Sequence, residues 1–336
     1  MYSINSIAAA MFVTGSLCIG SAWSAPIVFS GSGAAATTAL NDFRSAIGGV
    51  KNTAAPQASG RREINWDGVK LDGTDVNPNT QVVDANKTVI IPTNRFQGQG
   101  TLFADPYAVS GDGFASVNGA SAGQFPPFSP NNTFVMQDAT AGQFDDRFVG
   151  ESFTIPGTTT AAGTRGFGAI FLDVEGAGSS IEYFGRNTNG DQVSLGTFAV
   201  PIGASGETQF LGVLFDNAVV TDVNLTIGSN TLFNFDGTAF QSFGAENVAQ
   251  GIDLVVTDDF IFAEPTAAVA VAVPEPATLA LTLGGLAVFG RFREYGRIKR
   301  SPMIWNKRGM PWGKNGRMTQ LSILPEITVM NTDAGH

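Results

Sequence analysis

The sequence has a single cysteine and a single histidine among 336 residues, and both lie outside the segment that we predict to fold. Cys18 is near the N-terminus, and His336 is the last residue. The predicted folded segment, residues 25–273, therefore forms no disulfide, no thiolate metal site and no imidazole-based catalytic triad. A metal ion bound there is expected to be a hard cation held by oxygen atoms.

Positive charge is also scarce in this segment. Residues 25–273 contain ten Lys or Arg and twenty-five Asp or Glu, a net charge of −15, whereas residues 291–336 contain nine Lys or Arg and three Asp or Glu. So acidic a segment repels the phosphates of a nucleic acid. The composition therefore predicts that nucleic acid is not a partner.

The first 24 residues are typical of a secretory signal peptide. An apolar run covers residues 7–20, and Ala22 and Ser24 satisfy the small-x-small rule for cleavage after Ser24. The sequence thus predicts export through Sec-type machinery, with which the lack of cysteine after the cleavage site is compatible. The alternative is a buried N-terminal helix, since no Lys or Arg precedes the apolar run.

After the signal peptide, residues 25–60 form an N-terminal segment rich in small residues. One short helix is predicted over residues 38–47, where Leu40, Phe43 and Ile47 have helical spacing and two glycines follow. Residues 51–60 are predicted to be a loop.

Residues 61–262 have the pattern of a β domain. Short runs of Val, Ile, Phe and Thr alternate with Gly, Asn, Asp and Pro, and Asn189-Gly190 predicts a type I′ hairpin turn. We expect an all-β fold, specifically a jelly-roll-like β-sandwich. The predicted strands cover residues 62–66, 88–91, 133–136, 166–174, 180–184, 192–200, 208–215, 218–227 and 252–262.

A small-residue linker is predicted over residues 263–273. Val273, the last residue of this linker, precedes the next segment, residues 274–293. Together they have three parts in order. These are Val273-Pro274-Glu275-Pro276, an apolar run over 277–290, and the basic residues Arg291 and Arg293. This order resembles the PEP-CTERM sorting signal of bacterial proteins, which is recognised by an exosortase, a membrane-embedded processing enzyme. The resemblance implies export, a transient anchor in the inner membrane, processing near Pro-Glu-Pro, and delivery to the cell surface or extracellular space.

The physical properties of this C-terminal hydrophobic sorting helix suit a temporary anchor. Pro274 and Pro276 favour extended backbone at the processing site. Residues 277–290 as a helix are about 21 Å long, which is short for a hydrocarbon core of about 30 Å. Arg291 and Arg293 favour the cytoplasmic side of the membrane. The alternatives are a permanent tail anchor and a buried helix.

The chain continues through residues 294–336, although such signals usually end within a few residues of the basic cluster. This extension is basic and has no clear periodicity. We expect it to be disordered, or to be an artefact of a shifted reading frame or a missed stop.

A second resemblance concerns the β domain. Four stretches carry it, which are residues 60–69 (GRREINWDGV), 166–174 (GFGAIFLDV), 210–213 (FLGV) and 258–260 (DDF). Together they resemble a family of uncharacterised secreted bacterial proteins that often carry the same sorting signal. The resemblance implies an exported protein, but it carries over no substrate and no active site.

Acidic side chains occur near the predicted first and last strands of this domain. Asn65, Asp67, Asp72 and Asp75 lie on or after the first strand, and Asp253, Asp258 and Asp259 lie on or before the last one. Because these strands approach each other in a jelly roll, the two groups are predicted to share a structural Ca²⁺, with Asp67, Asp72, Asp258 and Asp259 as the four predicted ligands. Adjacent strand residues point to opposite faces, so at most one of Asp258 and Asp259 is expected to point inward. The alternative is solvated turn residues.

The sequence predicts no catalytic residue. Its first functional interpretation is a structural or adhesive component of biofilm or exopolysaccharide. The second is a calcium-stabilised carbohydrate-binding module, with Trp66 stacking on a sugar ring, although most aromatic residues of a β domain build its core. The third is a glycan hydrolase that uses carboxylates alone.

Overall fold

The computed structural model describes residues 24–53, 55–75, 80–136, 148–235 and 240–271. In these ranges the protein is mostly β-sheet with one α-helix, so the predicted all-β sandwich with one N-terminal helix is confirmed. The signal peptide up to Trp23, the sorting signal with its apolar helix, and the basic extension lie outside the described residues.

Sixteen strands and one α-helix follow one another along the described part of the chain. They are β1 (Ile27–Ser32), α1 (Ala34–Ile47), β2 (Arg61–Ile64), β3 (Gln81–Asp84), β4 (Thr88–Ile91), β5 (Thr101–Phe103), β6 (Tyr107–Ser110), β7 (Thr133–Met136), β8 (Phe148–Phe153), β9 (Gly166–Leu172), β10 (Ser180–Arg186), β11 (Gln192–Ala199), β12 (Thr208–Leu214), β13 (Asp222–Thr226), β14 (Phe233–Phe235), β15 (Phe240–Ser242) and β16 (Val256–Ala263). All nine predicted strands correspond to strands of the structure; β4 and β7 have the predicted ends, and the other seven differ at one or both ends.

The strands form two large sheets and a small one. Eight strands of the nine-stranded sheet follow the order β1-β12-β9-β16-β7-β6-β4-β3, and β2 pairs with β16 beside this path. The five-stranded sheet has the order β11-β10-β13-β8-β5, and β14 pairs with β15. Every pairing between these strands is antiparallel.

Strand β16 lies in the interior of the nine-stranded sheet. It pairs with β9 along one edge, and with β2 and β7 along the other. Every residue of β9 and β16 is buried, which is typical of strands in a sheet that is covered on both faces. Alternation along β16 places Phe260 and Phe262 in the core that includes the five-stranded sheet, and Ile261 in the core that includes α1.

Helix α1 covers the outer face of the nine-stranded sheet. Its buried residues are Ala36, Leu40, Phe43 and Ile47, and the ring of Phe43 lies 5.5 Å from that of Phe210 on β12. The helix begins four residues before the predicted start. Gly33 precedes it without a side-chain cap, so the sequence contains no capping signal at its N-terminus.

The folded domain is longer at both ends than the predicted β domain. Strand β1 lies in the segment that we predicted to be helix and loop, and it pairs with β12 as an edge strand. At the other end, residues of the predicted linker stay hydrogen bonded to the sandwich. Thr266 and Gly163 exchange two main-chain hydrogen bonds of 2.8 and 2.9 Å, and Val271 N donates to Arg186 O at 2.7 Å.

The predicted hairpin at Asn189-Gly190 joins β10 to β11, but its turn is not type I′. A type I′ turn needs positive φ at both central residues, and here Gly190 has φ +88° while Asn189 does not have a positive φ. Asn187 closes the loop instead, because its side chain accepts hydrogen bonds from the amides of Asn189 and Asp191 at 2.9 Å.

A buried ion pair ties β2 to the end of β16. Arg62 is fully buried, and its Nε and Nη2 donate to the two carboxylate oxygens of Glu264 at 2.8 and 2.7 Å. Asn52 Nδ2 and the amide of Gln57 donate to the same carboxylate at 2.8 and 2.9 Å. The pair therefore also holds the loop between α1 and β2 against the sandwich.

Glu264→Leu is expected to lower the free energy of unfolding by about 3–5 kcal/mol, because it leaves the buried Arg62 guanidinium without its carboxylate. The double variant Arg62→Met/Glu264→Leu is expected to recover at least half of that loss, since neither charge remains. Urea unfolding of the single and double variants measures both quantities. A double variant less stable than either single variant contradicts this account of the ion pair.

Candidate functional site

The structure does not bring the four predicted calcium ligands together. Asp67 accepts a hydrogen bond from Asn65 Nδ2 at 2.9 Å, and the exposed Asp72 accepts two from Thr74 at 2.6 and 2.9 Å. Asp258 and Asp259 lie on β16, and their side chains contact residues other than Asp67 and Asp72. In the described residues, no three of these four acids belong to a group that could hold one metal ion. This corrects the predicted ligand set, and for Asp72 the turn interpretation fits.

Trp66 is a core residue. Its side chain is fully buried, and its ring packs edge-on against Phe260 at 4.9 Å and Phe96 at 6.1 Å. A buried indole offers no surface to a sugar ring. This corrects the expectation that Trp66 binds glycan.

A β-bulge changes the expected orientation of Asp258 and Asp259. The pairing of β16 with β9 shifts between Thr257 and Phe260, so two residues lie opposite one, and strict alternation of faces is lost. Both side chains are buried rather than one. Burial and the charge of Asp259 raise the pKa of Asp258 to about 8, and burial also raises the pKa of Asp259.

Asp258 and Glu63 already have donors around this bulge, whereas Asp259 Oδ1 has no hydrogen bond of normal geometry. The amides of Phe128 and Ser129 donate to Asp258 at 2.6 and 3.2 Å, and Ser129 Oγ donates at 3.1 Å. Arg44 Nη2 lies 3.7 Å from Asp259, and its Nε lies 2.8 Å from Glu63. We therefore assign this network a structural role.

The negative charge of the neighbouring Glu63 is balanced by basic side chains. Arg44, Lys51 and Arg61 each place a nitrogen within 3.1 Å of its carboxylate. Although burial opposes it, the hydrogen bond from Arg61, together with Arg44 and Lys51, lowers the pKa of Glu63. Glu63 is therefore ionised near neutral pH and holds three cations beside the bulge.

A different set of acids converges at the other end of β16. Asp173 follows β9 directly, Glu175 is two residues later, and Glu246 lies in the loop between β15 and β16. Each offers a carboxylate oxygen within 4.8 Å of the other two. Together with Asp253, which precedes β16, they form what we call the acidic cluster.

Gln124 occupies the centre of the acidic cluster. Its Nε2 lies 2.6 Å from Asp173 Oδ2, 2.9 Å from Glu246 Oε2 and 3.5 Å from the main-chain oxygen of Leu254. The second oxygen of Asp173 accepts a hydrogen bond from the amide of Gly206. Three oxygen atoms from separate parts of the chain thus surround one amide nitrogen.

Asp253 adds a fourth carboxylate that is almost completely buried, with 2% of its surface exposed. Its Oδ1 accepts a hydrogen bond from the amide of Glu175 at 3.1 Å. Its Oδ2 is buried and has no hydrogen bond of normal geometry, although the nearby amide of Gly176 lowers the pKa somewhat. Burial dominates and, with the charges of Asp173 and Glu175, raises the pKa of Asp253.

The acidic cluster differs from the acids around the bulge in how its negative charge is compensated. In the described residues, no ion pair with Lys or Arg involves Asp173, Glu175, Glu246 or Asp253. Burial, the carboxyl group of Glu175 and the charge of Asp173 raise the pKa of Glu246 to about 8. Burial likewise raises the pKa of Asp173. Among the described residues, the negative charge of the cluster is thus not balanced by basic side chains.

Backbone strain occurs at the same place. Asp173 has φ +72°, in the left-handed region that non-glycine residues avoid. Such a conformation costs on the order of 1 kcal/mol and is common at functional sites. The left-handed residue turns the chain out of β9 and places Asp173 and Glu175 on the cluster.

A separate cleft of about 410 Å³ lies beside the C-terminal end of α1. Its charged lining groups already have partners. Arg165 donates to the main-chain oxygen of Ala46, Asp216 accepts from Ser24, and Glu264 belongs to the ion pair with Arg62. We therefore regard the acidic cluster, and not this cleft, as the candidate site.

The chain matches no protein-family model, no curated protein and no solved structure. Among the helices of the described ranges, none has the length and apolarity required to cross a membrane. The predicted sorting helix, residues 277–290, lies outside these ranges.

Without divalent cations, the free energy of unfolding is expected to fall as the pH rises from about 5 to about 8. The folded protein keeps protons on Asp258 and Glu246 up to a pKa of about 8, whereas the unfolded chain releases them near pH 4. The stabilisation is complete below about pH 4 and is lost as the pH passes 8.

Asp258→Asn is expected to reduce this slope by about 1.4 kcal/mol per pH unit, which corresponds to one proton. Urea unfolding at several pH values in a chelator measures the slope. The matched control is Asp72→Asn, because hydrogen bonds from Thr74 lower the pKa of Asp72 and remove it from this pH window. Equal slopes for the wild type and Asp258→Asn contradict the assignment.

Proposed function

We propose that this protein is exported, sorted through a PEP-CTERM signal, and delivered to the cell surface or extracellular matrix. There it has a structural or adhesive role in biofilm or exopolysaccharide. The observation that carries this proposal is the ordered motif of Val273-Pro274-Glu275-Pro276, the apolar run over residues 277–290, and the basic Arg291 and Arg293. Its partners are the Sec-type export machinery, an exosortase, and the membrane through the sorting helix.

The position of the motif in the chain supports processing. Val271 is the last described residue, and its amide is hydrogen bonded to the sandwich. Pro274 follows three positions later. Cleavage near Pro-Glu-Pro therefore removes no strand of the sandwich, and the two prolines favour the extended backbone that a processing enzyme needs.

A non-catalytic role is part of this proposal. Each charged group of the cleft already has a partner elsewhere in the protein, and the acidic cluster has no basic or nucleophilic side chain among the contacts described above. Because Trp66 is buried, it does not supply the aromatic platform of a carbohydrate-binding module. Polysaccharide remains a proposed partner through the matrix role alone.

We further propose that the sandwich belongs to the jelly-roll class. The support is the order β12-β9-β16-β7 in one sheet and β11-β10-β13-β8 in the other. The chain passes between the sheets at β7 to β8, β8 to β9, β9 to β10, β11 to β12, and β12 to β13. This is the winding of interleaved Greek keys that defines a jelly roll.

Replacing Pro274, Glu275 and Pro276 with alanine is expected to leave the protein unprocessed in the membrane fraction. The wild type is expected in the envelope or extracellular fraction in a shorter form. Immunoblots of fractionated native cells, with an antibody against the folded domain, measure size and location. Pro265→Ala is the matched control, since it removes a proline ten residues before Glu275 and keeps the motif.

Full-length wild-type protein in the cytosol contradicts the sorting proposal. The role is tested separately with a deletion strain, which is expected to lose aggregation or adhesion and to regain it on complementation. Unchanged aggregation, adhesion and matrix composition contradict the structural role even where sorting is normal.

A further inference from the structure

We propose that Asp173, Glu175, Glu246 and Asp253 bind a calcium ion, with Gln124 and the main-chain oxygen of Leu254 completing the site. This inference goes beyond the proposed surface role and does not depend on how the protein is sorted. Its ligands differ from the four that the sequence pattern predicted, and Asp253 alone belongs to the acids that the sequence already grouped for a calcium site. The acids come from segments about seventy residues apart in the chain, and the fold brings them together.

The first observation is the convergence of oxygen atoms. Asp173, Glu175 and Glu246 offer oxygens within 4.8 Å of one another. Oxygens of Asp173, Glu246 and Leu254 surround Gln124 Nε2 at 2.6, 2.9 and 3.5 Å. An amide group has two N–H donors, so it does not satisfy three acceptors fully. A cation at this point would contact all three.

The second observation is the buried carboxylate of Asp253. The side chain is 2% exposed, and Oδ2 lacks a hydrogen bond of normal geometry. Its Oδ1 accepts a hydrogen bond from the amide of Glu175, which directs the carboxylate toward the Asp173–Glu175 segment. A methyl group at Gly176 would lie 3.4 Å from Oδ2, so the two segments are in contact. A buried carboxylate oxygen without a donor is a strong ligand for a cation.

The donor set selects the kind of cation. The described ligands are oxygens only, and the segment 25–273 has neither cysteine nor histidine. The three convergent carboxylates, the Leu254 oxygen and the amide oxygen of Gln124, presented by rotating the amide group, give five ligand groups. Asp253 adjoins them through its hydrogen bond with the amide of Glu175 and would supply the sixth. Calcium takes six to eight oxygens in a flexible arrangement, whereas magnesium requires a near-ideal octahedron and keeps several waters. Loop-borne, irregular ligands therefore favour calcium.

Binding has a structural consequence. Gln124 lies between β6 and β7, Asp173 and Glu175 follow β9, and Glu246 and Asp253 precede β16. One ion would link these three connections at a single end of the nine-stranded sheet. Because calcium would bind the folded state and not the unfolded chain, it would stabilise the fold.

The test uses the purified full chain after treatment with a chelator. Titration calorimetry with calcium chloride is expected to show about one ion bound per chain. Calcium at about one hundred times the dissociation constant is expected to raise the Tm by about 5 °C. Magnesium at the same concentration is expected to raise the Tm by less than half as much.

Glu246→Gln is expected to weaken calcium binding at least tenfold. Without calcium its Tm is expected to be equal to or above that of the wild type, because the amide carries no charge to bury and keeps an oxygen that accepts the hydrogen bond from the amide of Leu254. A merely structural role for Glu246 would lower the Tm in both conditions. Asp253→Asn provides a second variant with the same expectation for binding, and Glu182→Gln on β10 is the matched control that removes a charge outside the cluster.

Three results would overturn the proposal. These are the absence of calorimetric binding by the wild type, an equal rise in Tm with calcium and magnesium, and unchanged affinity in both Glu246→Gln and Asp253→Asn. Because these measurements use purified protein, failure here leaves the sorting proposal intact, and failure of sorting leaves this site intact.

Discussion

The fold depends on the insertion of its last strand, β16, into the interior of the larger sheet. β16 pairs with β9 on one edge and with β2 and β7 on the other, so it joins elements from the beginning, middle and end of the described chain. Its position buries all eight of its residues. Any polar group on β16 or directly after it must therefore be neutralised inside the protein, because water is not available to it.

The buried acids of the protein are compensated in different ways, because Lys and Arg are too few to pair with all of them. Glu63 and Glu264 use arginines directly, and Arg62 reaches Glu264 with two nitrogens. Buried Asp258 instead keeps a proton at neutral pH and accepts hydrogen bonds from two amides and a serine. Residues 25–273 contain ten basic residues for twenty-five acids, and in the described part of the chain the acidic cluster forms no ion pair with Lys or Arg. The shortage of basic residues thus favours a cation as the ligand of this cluster.

The sequence predicted what depends on local pattern. The strands that are alternating or fully apolar, such as β9, β12 and β16, were confirmed, and so was the buried face of α1. Strand β1 was missed because its apolar run, Ile27–Phe29, is only three residues long and is followed by Ser30-Gly31-Ser32, while the pairing with β12 that completes the strand is not visible in the sequence. The orientation of Asp258 was missed because a bulge breaks the two-residue period. The acidic cluster was missed because Gln124, Glu175 and Glu246 are brought together by tertiary structure alone, and no spacing in the sequence records that.

The geometry of β16 also relates the acidic cluster to the point where the chain leaves the sandwich. Asp253 precedes β16, whose eight residues extend about 26 Å, and the chain continues from Ala263. Val271 is hydrogen bonded to Arg186, the last residue of β10. At the other end of β10, Ser180 pairs with Thr226, which lies next to the segment that contacts Asp253. The cluster and the exit of the chain therefore lie at opposite ends of both sheets. A calcium ion bound at the cluster would therefore stabilise the end of the sandwich opposite Val271, the last described residue.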